Sequence, residues 1–273
     1  MRMYKLCAVL AAVSLTLGLI LCVFGFTLGG RLHDSFGIHY GDHDFSARYS
    51  DDEQNQEKTI PLSAFKKLEM DIDIGDITIK YGDEFMLYTD HPDIDDYEII
   101  EKDDTLKIIS HQKGFELFSI DFFQPDYHFI LTIPKDGKLT SLTLASAMGD
   151  ITISGIYAQD IQLNQAMGDI SIEDTLYSTM NIDQKMGDVE YEGKGQGNMT
   201  IDNAMGDINV TIKDDIDNYT YELSTAMGSI ETDRKKLSGA SKNIRNKPKN
   251  AKYKLIMDCS MGDIELEFDN DFD

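Results

Sequence analysis

Cysteine is nearly missing from this 273-residue chain, which holds three. Cys7 and Cys22 fall in an apolar run near the start, so Cys259 stands alone and no intrachain disulfide is available to the rest. Stability has to come from burial and repetition. Proline is absent between Pro134 and Pro248, and since proline cannot donate a ladder hydrogen bond, that stretch suits continuous strand pairing. Catalytic signatures are missing as well. His33, His39, His43, His91, His111 and His128 all precede the regular part of the chain, no G-x-S-x-G occurs, and Gly193, Gly195 and Gly197 around Lys194 do not form a phosphate loop. That GKGQG segment reads as a flexible turn. Acidic residues are absent from the first 31 positions; the remaining 242 carry 22 bases against 49 acids, a net of −27.

What is present is a repeat. SAMGDITI, QAMGDISI, QKMGDVEY and NAMGDINV place Gly149, Gly168, Gly187 and Gly206 at constant steps of 19 residues, the mark of a repeat architecture. Apolar columns lie seven and five residues before each glycine (Leu142, Ile161, Met180, Met199; Leu144, Leu163, Ile182, Ile201) and again two and four after it. That alternation predicts two strands per unit, joined at Gly-Asp. The same template fits around Gly75, Gly228 and Gly262, giving seven units with wider steps at the end. The turn motif therefore comprises Gly75, Asp76, Gly149, Asp150, Gly168, Asp169, Gly187, Asp188, Gly206, Asp207, Gly228, Gly262 and Asp263, with Ser229 in place of an Asp.

Two architectures fit these columns. Gly-Asp is a recognised two-residue hairpin turn, which would give an antiparallel meander. Parallel stacking of each unit on the one before, with like residues facing one another, accounts better for the constant step. The expectation is an all-β, right-handed β-solenoid, or β-helix-like stack, of about 19-residue repeats. A polar column of Ser146, Gln165, Gln184, Asn203, Thr225 and Cys259 would point into it, its amides satisfying one another in register. The Asp column admits a bridging calcium, but an Asp beside a turn glycine ordinarily caps its own turn, and no calcium-roll G-G-x-G-x-D repeat occurs. Glycoside chemistry needs two carboxylates in different environments, whereas a ladder repeats one environment. No catalytic, metal or cofactor site is assigned.

Leu6–Leu28 is 23 residues broken only by Ser14, Thr16, Gly18, Gly25 and Thr27; as a helix it would reach about 35 Å, enough to cross a hydrocarbon core of roughly 30 Å. Arg2 and Lys5 precede it, which predicts a cytoplasmic N-terminus and an extracytoplasmic body. The expected organisation is a cytoplasmic tip and transmembrane anchor over 1–31, a polar juxtamembrane linker over 32–59, the repeat domain over 60–268 and an acidic tail over 269–273. His33, Asp34, His39, Asp42, His43 and Asp44 match no closed zinc spacing and belong to that linker. FMLYT, YEIIE and LKIIS read as strands, the last two as a hairpin, and the rings of Phe115, Phe118, Phe122 and Phe123 as a plug on an open stack end.

One segment has the opposite charge. Arg234, Lys235, Lys236, Lys242, Arg245, Lys247, Lys249, Lys252 and Lys254 put nine cations in 21 residues with no acid. They read as an insertion loop, either docking an anionic polymer or folding back on the acidic flank. An outside location argues against nucleic acid. The anchor followed by these M-G-D-I repeats, preceded by LEMDIDIGDITIKYGDEF and YHFILTIPKDGKL, resembles a bacterial β-strand-repeat family of proposed adhesins. The resemblance covers about residues 60–268. It implies a solenoid-like domain displayed at the cell envelope, in some members tied to envelope-stress responses, with no catalytic residues to transfer. The expected function is a non-enzymatic, membrane-anchored binding or scaffold module for a wall polymer, glycan or envelope protein. The alternatives are an accessory subunit in envelope-stress sensing and a polysaccharide-active β-helix enzyme.

Overall fold

The structure is a computed structural model that describes residues 58–90, 97–110, 127–233 and 235–269. The apolar segment 6–28, the His/Asp-rich segment 33–44 and the four phenylalanines of 115–123 lie outside the described residues. Among the described residues no helix is long and apolar enough to cross a membrane.

The described chain is almost wholly strand. Six elements open it: β1 (Lys58–Pro61), β2 (Lys67–Ile74), β3 (Asp76–Gly82), β4 (Met86–Thr89), β5 (Tyr97–Lys102) and β6 (Thr105–Ser110). Then come β7 (His128–Pro134), β8 (Lys138–Met148), β9 (Ile151–Ser154), β10 (Tyr157–Met167), β11 (Ile170–Glu173), β12 (Leu176–Gln184) and β13 (Val189–Gly193). The last six are β14 (Asn198–Met205), β15 (Ile208–Ile212), β16 (Tyr219–Thr232), β17 (Lys235–Asn246), β18 (Tyr253–Met261) and β19 (Ile264–Phe268). A long and a short strand make one coil, with Gly-Asp at the corner between them.

Coils stack in parallel, which excludes the meander. Register follows the sequence columns: Leu163 pairs with Leu144 and Ile182, and Ile170 with Ile151 and Val189. Alternate residues point inward, so Leu142, Leu144, Ile161, Leu163, Ile170 and Ile172 are all at most 1% exposed. At roughly 25 cal/mol per Å² of apolar surface removed from water, these ladders are the main source of stability in a body without cross-links.

The order of stacking departs from the order of the chain. β2/β3 stack on β8/β9 on one side and on β6/β7 on the other, so the coil made by β6 and β7 is an eighth layer that lacks a Gly-Asp corner. At the far end β14 pairs with β18 and β18 with β16, which places the Gly262 coil between those of Gly206 and Gly228. At the C-terminal end the chain thus steps outward by a layer and returns to fill the gap, whereas at the other end it steps outward from β2/β3 to β6/β7 and then passes to the far side of β2/β3. Each terminal coil is covered by antiparallel strands: β4 and β5 on β7 and β6, β1 beyond β4, and β17 along the whole of β16. The β5–β6 hairpin expected from sequence is present, turning through Asp103 and Asp104 at φ 52 and 59, the positive pair of a type I′ turn. The first half of the basic segment is therefore no loop, and only residues 247–252 turn between strands. Residues 235–246 form the terminal strand of the stack.

Candidate functional site

The Gly-Asp corner is where consecutive coils are tied together, and its chemistry runs between layers. Each corner glycine has φ between 124 and 154, and an added Cβ on Gly187 would sit 1.9 Å from the Gly168 carbonyl oxygen. Only glycine allows both that backbone and that approach. The glycine N–H donates across to the methionine carbonyl of the next coil, as from Gly168 to Met186 at 3.1 Å. The glycine carbonyl is met from the next layer by the polar column. Gln165 donates to Gly149, Gln184 to Gly168 and Asn203 to Gly187; Cys259 donates to Gly206 and Thr225 to Gly262. The amide-to-amide ladder expected from sequence reduces to one long contact of 3.5 Å between Gln184 and Gln165. A short thiol or hydroxyl serves as well as an amide because the target is a fixed backbone oxygen. Ser146, opposite Ile72, reaches no partner. Burial pushes the Cys259 thiol up to about 11, so it is a structural donor and a poor nucleophile.

The aspartates do not cap their own turns. Oδ1 of Asp76 accepts the N–H of Asp150, Asp150 that of Asp169, Asp169 that of Asp188 and Asp188 that of Asp207, all at 2.8 to 2.9 Å. Asp207 accepts from Asp263, and Asp263 from Ser229. This chain explains the one departure from the motif. Ser229 belongs to the terminal coil, its N–H is received by Asp263, and no parallel layer beyond requires a carboxylate from it. At the opposite end the column passes from Asp76 to His128, whose Nδ1 lies 2.8 Å from Asp90. Among the described residues no group of three His, Cys, Asp or Glu side chains is placed to hold a metal ion.

The other corner differs. GKGQG is held rather than flexible: the Tyr191 hydroxyl receives Gly195 N–H at 3.0 Å, and the Tyr219 hydroxyl donates toward Gly195 O at 2.9 Å and Asp214 Oδ2 at 3.1 Å. Burial raises the Tyr191 phenol to about 12, and burial together with Asp214 raises Tyr219 further.

The nine cations of the basic segment are spread over one end. Arg234 lies outside the described residues, and Lys235 faces Thr232 across the ladder. Lys236 is ion-paired with Glu231, and Arg245 stands opposite Glu222. Lys242 is half-buried beside Thr225, whereas Lys247, Lys249, Lys252 and Lys254 project into solvent around the turn from β17 into β18. The structure thus divides the segment: its first half is drawn onto the acidic flank, and among the described residues no ion pair engages the four exposed lysines of its second half. The sequence columns contain the methionine that precedes six of the seven corner glycines, but not the direction in which it points. Although it shares the parity of buried residues, the corner turns it outward, and all six are 37 to 57% exposed.

Comparison with known proteins places this architecture. The model of the family described as Toastrack DUF4097 matches residues 59–267. A proposed cell adhesion protein from Clostridium sporogenes is similar at 11% identity and TM-score 0.49, over 79% of this chain and 100% of that one. A proposed adhesin from Bacteroides fragilis has 12% identity and TM-score 0.44, over 77% and 95%. A proposed lipid-binding protein from Parabacteroides distasonis has 12% and 0.33, over 78% and 96%. No curated protein matches the chain.

Proposed function

The chain belongs to the Toastrack DUF4097 family, and on that footing we propose a non-enzymatic, adhesin-type binding or scaffold module. It is a right-handed solenoid held outside the cytoplasm by the apolar segment 6–28. Its ligand is an anionic surface polymer, bound at the basic end of the stack. The observation that carries this reading is charge segregation. A chain of net charge −24 concentrates nine cations in residues 234–254, and Lys247, Lys249, Lys252 and Lys254 of that set are solvent-exposed at one end of the coil ladder. A positive patch on a negative body attracts a polyanion to that patch and repels it elsewhere.

The test is co-sedimentation of the full chain with a purified wall phosphate polymer, beside the same chain with Lys247, Lys249, Lys252 and Lys254 changed to Ser. Parent binding is expected to weaken steeply as salt rises to about 0.15 M, where the screening length is roughly 8 Å. The variant is expected to lose most of it with its β circular dichroism intact, because these lysines lie outside the core. Equal binding by a folded variant at every salt concentration would remove the basic end as the site.

A further inference from the structure

The corner methionines form a continuous row. Met148 pairs with Met167 and Met205 with Met261, and Met261 in turn with Met227. Met186 joins the row between them, its carbonyl accepting Gly168 N–H while Gly187 N–H goes to Met205. Six methionine Cα positions therefore stand one above another at the strand spacing of roughly 4.8 Å, each with an exposed side chain. The row ends where Ile74 occupies the same column opposite Met148. The chain's buried methionines, Met70, Met180, Met199 and Met257, are at most 2% exposed and sit in the core. The corner set serves no such packing. The neighbouring column varies, running Ala147, Ala166, Lys185, Ala204, Ala226 and Ser260, yet the methionine column never changes across six coils.

We propose that this methionine ladder is a binding site for a soft monovalent cation, copper(I) or silver(I), held between the thioethers of adjacent coils. Thioether sulfur is a soft, neutral donor that selects copper(I) over zinc, calcium or magnesium. The parallel register supplies donors in pairs on one face, which an isolated surface methionine cannot. Neutral ligands leave the ion's charge uncompensated, and the Asp150, Asp169, Asp188, Asp207 and Asp263 column, two residues beyond every methionine of the row except Met227, runs alongside to offset it. Because a thioether does not protonate in water, occupancy is the same at pH 7 and pH 5, where a histidine site would empty. The site is separate from the basic end and stands or falls independently of the polymer reading.

The experiment is calorimetric titration of the untagged full chain, with Cys7, Cys22 and Cys259 changed to Ser in every sample so that no thiol competes, using silver(I) nitrate at pH 5 and pH 7, and repeated with copper(I) under anaerobic reducing conditions against a chromophoric chelator. The parent is expected to bind with the same affinity at both pH values and to ignore excess zinc. The variant Met167→Leu, Met205→Leu, Met261→Leu keeps apolar volume and leaves no two methionines on adjacent coils; it is expected to bind at least tenfold more weakly. Equal affinity of variant and parent overturns the proposal. So does binding lost at pH 5, which would assign the metal to histidine. Should the triple variant fail to fold, the methionine methyl NMR signals of the parent decide. Those removed by single Leu substitutions at 167, 186 and 205 are expected to shift on silver addition, and their remaining fixed overturns the site.

Discussion

Replacing Asp169 by Asn should stabilise the stack or leave it unchanged, whereas replacing it by Ala should weaken it. Asp169 Oδ1 accepts the N–H of Asp188 at 2.8 Å, and its own N–H goes to Asp150 at 2.9 Å. The bond to a charged acceptor contributes about 1.5 to 3 kcal/mol. Opposing it, carboxylates one strand apart repel by about 0.9 kcal/mol per neighbour even in water, about 1.7 kcal/mol for two. Alanine loses the bond and the repulsion together, for a net cost of about −0.2 to 1.3 kcal/mol. Asparagine keeps a neutral acceptor of about 1 kcal/mol and sheds the repulsion. The two variants should differ by about 1 kcal/mol, or about 2 to 4 °C in Tm for a domain of this size. Urea midpoints and Tm would be measured at low salt and at about 1 M, where the screening length falls to roughly 3 Å. The advantage of Asn over the parent should shrink at high salt. If Asn and Ala destabilise equally, or the Asn effect ignores salt, the carboxylate charge does something other than receive the next layer.

Two further outcomes follow from burial. Ile170→Asp should abolish the cooperative β signal, because an unpaired charge enters the ladder between Ile151 and Val189 at several kcal/mol, while the adjacent Ser171→Asp, of outward parity, should be tolerated within about 1 kcal/mol; equal loss in both by circular dichroism would refute the register. Burial raises the Tyr191 phenol to about 12 in the fold against about 10 when unfolded, so its contribution is full below pH 10 and is lost as pH rises from 10 to 12; the Tyr191 share of tyrosinate absorbance, taken as the difference from Tyr191→Phe, should appear together with unfolding, and its appearance near pH 10 in a folded protein would refute the burial.

The strand parity, the core columns and the parallel stacking were all legible in the sequence, because every coil repeats the same inward set in the same register. The order of the coils was not. Columns that match everywhere let the Gly262 coil fit on any neighbour, and nothing in its apolar pattern says that it lies inside the Gly228 coil. The one local signal was Ser229: a coil whose corner lacks the carboxylate has no parallel layer to serve, and so stands last. The basic segment misread as a loop because KKLSGASKNIRN carries only Leu237 and Ile244 as large apolar residues. A strand paired along a single edge, covering the stack end, needs few. The outward methionines were hidden by parity itself, since Met148 lies two residues from the buried Ser146 and only the bend at the glycine turns it to solvent.

The outward-and-back path of the chain at its C-terminal end sets a schedule for synthesis. As residues leave the ribosome in order, the coil of Gly228 and its covering strand β17 emerge while the layer they rest on, β18 and β19, is still unmade. They must either wait or seat provisionally on the Gly206 coil, whose columns match those of the Gly262 coil, and then give way. The final layer enters as a wedge between two others instead of adding to a growing tip. Maturation then hinges on residues 253–268, and a ribosome stalled just short of them would hold a nearly complete protein whose end stays open to exchange.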